Sequence, residues 1–254
     1  MKRLEYYKDL VLVLTQKEMK VRYKNHLLGY LWSILNPLAF ALCFYVAFKI
    51  IMRFEMDDYT VFLICGLFPW QWFSTSLTMS ASVFLRNASL IKRVSFPRTA
   101  LPLSVVLQDM IHFLLSIPVI VLFLLLHGHL PSASWIYGIP LLLLVQLLVT
   151  YGLVLAIATT NLFFRDLERL VLICTTLLFY LTPIIYPVTM VPEPLRPLLT
   201  LNPAAPIMTN WRELFLHGSI DGGLVLLSFV YGALLCLVGY LVYRRLSWKF
   251  AEVL

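Results

Sequence analysis

The chain has 254 residues, of which 61% are hydrophobic and 13% charged, and it carries a formal net charge of +7. A soluble domain carries about 25% charged residues, so this chain cannot clothe an aqueous surface, and a mean hydropathy of +0.86 agrees. The basic residues flank apolar blocks instead of forming one patch, which excludes a nucleic-acid partner.

Lys2 and Arg3 open the chain, but the apolar run over 10–14 is too short for a signal peptide. Lys17, Glu18 and Lys20 also stand where a small-residue cleavage site would lie. Leu4, Tyr7, Leu10, Val11 and Leu14 instead recur at helical spacing, with Lys8, Asp9, Gln16 and Lys17 between them. Residues 1–28 are therefore expected to form an amphipathic helix at the membrane surface. The alternative is an ordinary helix packed on the loops.

Six apolar blocks follow, over 29–52, 59–85, 100–126, 135–160, 170–186 and 223–243. A span needs roughly 20 apolar residues, and backbone in hydrocarbon must satisfy itself, so the blocks are helices. Residues 188–222 stay apolar but carry Pro192, Pro194, Pro197, Pro203 and Pro206, which no straight helix accommodates. This segment reads as short re-entrant helices at the outer face, with a compact external loop as the alternative. The expected fold class is all-α integral membrane: six transmembrane helices in 29–254, the N-terminal interface helix, and external re-entrant helices before the last span.

Most Lys and Arg residues precede the first block or follow the second, fourth and sixth, leaving only Lys49, Arg53, Arg196 and Arg212 elsewhere. The positive-inside rule then puts both termini in the cytoplasm of a multi-pass inner-membrane protein. Cys43, Cys65, Cys174 and Cys236 all lie inside apolar blocks with no Cys-x-x-Cys spacing, and read as buried hydrophobes.

No glycine is followed by Lys, so there is no phosphate-binding P-loop. The His-Glu-x-x-His and Gly-x-Ser-x-Gly motifs are also absent. His127 and His129 are too few for a metal site, and no metal is expected. Asp166 and Glu168, beside Arg165 and Arg169, read as a salt-bridged turn. Asp109 lies about ten residues into the third block, after Gln108 and one turn before His112. An intramembrane carboxylate is costly and often functional; a proton relay and a structural hydrogen bond both fit.

Aromatic residues are the most informative. Trp70, Trp72 and Phe73 follow Pro69 in the second block. If that span begins outside at Tyr59, Trp70 lies roughly 16 Å deep, away from the interfaces where tryptophan usually sits. A wet lumen would satisfy its indole N–H. Trp32, Phe40, Phe44, Tyr45 and Tyr180 add ring faces, which stack on the C–H faces of sugars. They are candidate substrate-channel residues, with helix packing the alternative for each.

The segments Arg22-Tyr23-Lys24, Leu28-Gly29-Tyr30-Leu31-Trp32-Ser33-Ile34-Leu35-Asn36-Pro37, Gly66-Leu67-Phe68-Pro69-Trp70, Ile91-Lys92-Arg93-Val94-Ser95-Phe96-Pro97-Arg98, Phe164-Arg165-Asp166 and Thr182-Pro183-Ile184-Ile185-Tyr186-Pro187 carry a resemblance by their order and spacing. With Asn202-Pro203 they make nearly the whole chain similar to the membrane (permease) subunit of type-2 ATP-binding-cassette exporters, in the polysaccharide and O-antigen export branch. The resemblance implies a homodimer around one pore, and two copies of a separate ATPase that binds ATP and Mg. It implies no cofactor in this chain, which is a transport subunit and not an enzyme. The ATPase would meet Lys17, Arg22, Lys92, Arg93 and Arg98. The substrate implied is a lipid-linked glycan, moved outward through the membrane lipids. Rival readings are an exporter of a teichoic-acid-like polymer, drug or small lipid, a structural membrane scaffold, and a membrane glycosyl- or acyltransferase using Asp109 with His112.

Overall fold

The computed structural model describes residues 2–23, 31–53 and 56–253, and every regular element among them is a helix. The order is α1 (Lys2–Tyr23), α2 (Trp32–Phe44, continued as a π-helix over Tyr45–Ile51), α3 (Tyr59–Ser80), α4 (Val83–Arg86), α5 (Ala88–Arg93) and α6 (Ala100–Leu126). Then follow α7 (Trp135–Asn161), α8 (Leu167–Leu181), α9 (Arg196–Leu201), α10 (Ala205–His217), α11 (Gly222–Leu246) and α12 (Phe250–Val253). The expected boundary between 28 and 29, and the Lys24 and Leu28-Gly29-Tyr30 part of the motif, lie outside the described residues.

Among the described residues, four helical segments are long and apolar enough to cross a membrane: Ile34–Ile51, Ala100–Leu126, Trp135–Asn161 and Gly222–Lys249. The other two expected spans differ from the apolar blocks. In the second, α3 stops at Ser80, and residues 83–86 form the separate α4. Asn161 Nδ2 donates to the Ala81 carbonyl across 2.7 Å, which holds the chain out of the helix there. In the fifth, α8 has 15 residues and stops at Leu181. Pro183 pushes the residue before it out of helical backbone, and Thr182 is extended at φ −95° and ψ 137°.

One end of the bundle is closed by a cluster that joins Val11 and Leu14 of α1, Phe84 of α4, Ile91 of α5, Leu101 and Val105 of α6, and Phe250. These α1 residues belong to the expected apolar face, and Tyr7 and Leu10 pack beside them. Tyr6, Leu12 and Val13 remain exposed. At the other end, His129 meets Asp58 at 2.9 Å, and Trp135 donates its indole N–H to the Leu214 carbonyl at 2.9 Å.

The Pro-broken segment forms short helices throughout: 3-10 turns over Val188–Met190 and Glu193–Leu195, then α9 and α10. α10 is too short to cross a membrane, at 13 residues or about 20 Å. Ile207, Met208 and Trp211 are nonetheless fully buried in the main core. Trp211 donates to Gln146 Oε1 (2.6 Å), and Gln146 Nε2 donates to the Pro69 carbonyl (2.9 Å), so one amide ties α10 and α7 to α3. α7 and α11 touch backbone to backbone: a Cβ on Gly152 would lie 2.5 Å from Cys236 N, and one on Gly239 would lie 2.5 Å from the Gly152 carbonyl oxygen. Small residues permit such approach in membranes, where lipid supplies no hydrophobic drive between helices.

Candidate functional site

Asp109 sits nine residues into α6, about 13.5 Å from its start, and is buried. A carboxylate at that depth requires partners. Arg22, in the last turn of α1, donates through Nη1 to Oδ1. Ser76 Oγ of α3 donates to Oδ2 at 2.9 Å. The Arg22 side chain keeps 30% exposure against 4% for Asp109, so the pair reaches from the surface into the bundle. Three elements thus meet at one carboxylate. Neighbouring Gln108 is buried, and its Nε2 has no partner among the described residues.

This ion pair forms one wall of a half-enclosed cavity of about 220 Å³ between α1, α2, α3 and α6. Arg22, Asp109 and His112 line it with ionisable groups, and Asn36, Gln71, Thr75 and Ser116 with neutral polar ones. Trp32, Phe68, Trp72 and Phe113 supply rings. Trp72 is fixed: its indole N–H donates to the Val106 carbonyl (3.1 Å), and its ring stacks on Phe113 at 5.7 Å. Trp32 is 47% exposed. Gln71 Nε2 donates to Thr75 Oγ1 at 2.8 Å.

The expected channel residues divide between two places. Trp32 and Trp72 line the polar cavity, whereas Phe40 and Trp70 face a second groove of about 300 Å³ between α2, α3 and α8. Ser74, Thr78, Thr175 and Thr176 give that groove a hydroxyl lining. Phe73 is wholly buried, and Phe44 packs on Phe179 at 5.7 Å. Tyr45 packs partly buried against the core, and Tyr180 is exposed.

The expected ATPase-contact residues divide likewise. Lys92 and Arg93 are exposed in the last turn of α5, beside a surface cleft of about 320 Å³. Arg98 donates to the Ser247 carbonyl at 3.0 Å and lies 5.5 Å from the Phe250 ring centre. Lys17 bonds Glu18 and Asn87, and Arg22 turns inward onto Asp109.

A second buried cation escaped the sequence reading. Arg212 of α10 is 5% exposed. It donates to the carbonyls of Pro183 (2.7 Å) and Ile184 (2.8 Å) just past the end of α8, and lies 3.6 Å over the Phe62 ring. The signal available was an arginine at helical spacing from Trp211 and Phe215 in an apolar segment. Asn36, Gln71 and Gln146 were similarly visible as polar residues inside apolar blocks. Among the described residues no cluster of three or more His, Cys, Asp or Glu residues could hold a metal ion.

Comparison with known proteins agrees with this architecture. Residues 9–216 match the family model of the ABC-2 type transporter membrane domain. An O-antigen export system permease protein, RfbA, of Klebsiella pneumoniae is 47% identical over 99% of this chain and 97% of its own length. The protein of the same name from Myxococcus xanthus is 36% identical over 84% of this chain and 83% of its own. The polysialic acid transport protein KpsM of Escherichia coli is 25% identical over 94% of each chain. The chain therefore belongs to the ABC-2 type transporter membrane family.

Proposed function

We propose that this chain is the permease subunit of an exporter that moves a lipid-linked polysaccharide of the O-antigen type outward across the inner membrane. The observation that carries the reading is near-complete coverage of a permease so named at 47% identity. A more distant relative named for polysialic acid transport favours a polysaccharide over a drug or small lipid. In this reading six helices span the bilayer: α2 with its π-helical extension, α3, α6, α7, α8 and α11. Both termini are cytoplasmic, and the segment over 188–222 re-enters from outside.

Two copies of the chain form the pore, and two copies of a separate ATPase bind ATP and Mg. The ATPase docks on the end that carries α1, Lys92 and Arg93. The groove with Phe40, Trp70 and the Ser and Thr hydroxyls faces the pore. Weak contacts repeated along such a surface let a polymer slide, whereas one tight site would stall it. Deleting the gene in its native host tests the reading. Long glycan held on lipid inside the cell, with none at the surface, is the expected result. Normal surface glycan overturns the substrate, and absence of any polymer points to synthesis instead of export.

A further inference from the structure

The cavity beside the Arg22–Asp109 pair has a composition unlike the rest of the chain. In a sequence that is 61% hydrophobic, no described residue lining it is aliphatic. Rings, amides, hydroxyls and one ion pair make the wall that the described residues form. The groove between α1 and α6 is the opposite, walled largely by residues such as Val11, Leu12, Leu103 and Met110.

Polar groups inside a membrane bundle are costly unless something answers them. Asn36 lies on a candidate span, its exposed side chain lines the cavity, and it makes no hydrogen bond among the described residues, so its amide is free to meet a ligand. Thr75 accepts from Gln71, which leaves its own O–H to donate and the Gln71 carbonyl oxygen to accept. Trp72 is held rigid at the back, and Trp32 offers an exposed ring at the front. Planar amides, hydroxyls and ring faces are the groups that recognise a sugar, whose hydroxyls both donate and accept and whose C–H faces stack on rings.

Size and place narrow the ligand. At about 220 Å³ the cavity falls below the 300–1,000 Å³ of drug-sized pockets, so it suits one ring and not a chain. It is half-enclosed within a single subunit, so a polymer cannot thread it and only a terminal unit fits. Trp72 lies eight residues before the end of α3, about 12 Å from it. The cavity therefore opens in the half of the bundle beside α1, α4 and α5.

We propose that this cavity docks one terminal sugar ring of the exported glycolipid before translocation. The inference rests on the proposed export function and adds a docking site that adjoins the groove facing the pore, the two sharing Gln71 and Thr75.

The test uses the chain with its ATPase in proteoliposomes, with export of the host's radiolabelled glycolipid followed against its concentration. Asn36→Ala, at a residue that lines the cavity and not the neighbouring groove, should raise the half-saturating concentration about tenfold. Leu122→Ala, on an exposed face of α6, should not. In parallel, p-benzoylphenylalanine at position 36 should cross-link the glycolipid, and this arm decides the matter if an alanine variant does not assemble. Competition separates the two ends of the ligand. A polyprenyl-diphosphate monosaccharide blocks the cross-link if the lipid-proximal sugar docks, and oligosaccharide freed from the polymer blocks it if the far end docks. Unchanged half-saturation, or no cross-link, leaves a cavity that holds only water and overturns the proposal. A wild-type complex that exports no glycolipid overturns the export function instead.

Discussion

Replacing Gly152 by alanine tests the packing on which the bundle rests. The added Cβ would lie 2.5 Å from both Cys236 N and the Leu235 carbonyl carbon. Comfortable contact needs about 3.5–4.0 Å, so α7 and α11 must part by about 1 Å. A gap of that size forfeits a quarter to a half of each pairwise attraction along the seam. The obstacle is backbone, which cannot swing aside as a side chain does. Overpacking costs about 1–3 kcal/mol, and the upper half of that range applies. For a chain of this length about 2–3 kcal/mol corresponds to a melting point lower by roughly 5–10 °C. Thermal unfolding in detergent measures it, with Gly222→Ala as control, because a Cβ there meets nothing within 4 Å. If Gly152→Ala melts with the wild type while Gly222→Ala is also unchanged, the close seam is not present and the reasoning fails.

Three further outcomes follow from the polar contacts. Gln146→Leu strands the buried Trp211 indole N–H and removes the second bond to the Pro69 carbonyl, and should cost about 2 kcal/mol in the same melt. Arg212→Gln removes two charge-assisted bonds and a ring contact and should cost about 3 kcal/mol. Faster hydrogen exchange over 182–187 would report it, and unchanged exchange there would refute the anchoring role. Asp109→Asn keeps one oxygen to accept from Arg22 and turns an amide N–H onto the Ser76 hydroxyl, which can accept it, and should cost about 1 kcal/mol, because the partly exposed Arg22 recovers hydration; a loss as large as that of Arg212→Gln would contradict this.

What the sequence made legible is what one-dimensional pattern controls. The block over 100–126 coincides with α6 at both ends, and the apolar face of α1 contains the residues that pack. The early end of α3 was not legible, because the apolar pattern runs on through Val83 and Leu85. What competes with the helix is a bond from Asn161, which lies 80 residues away. Asp109 stood out by type alone. Its partner could not be read, since Arg22 lies 87 residues earlier and looked like one more interfacial cation. The same holds for the division of the aromatics, because alternating helical faces decide which ring meets the cavity and which meets the groove between α2, α3 and α8.

The two ends of the bundle use the same device with different compensation. At each, a non-spanning helix inserts an arginine: α1 through Arg22, α10 through Arg212. Arg22 meets a carboxylate, so the pair is neutral, and 30% of the Arg22 side chain stays exposed. Arg212 is bonded to carbonyls and covered by a ring, and is 5% exposed. If the pair separates, Arg22 is rehydrated from its exposed side, and the buried Asp109 keeps Ser76 as a donor. A buried cation held by carbonyl dipoles has no such route, since each bond it loses strands a charge in a dry core. Movement of α1 against α3 and α6 is therefore the cheaper of the two. The α10 anchor yields only if α8's broken end at Thr182-Pro183 moves with it.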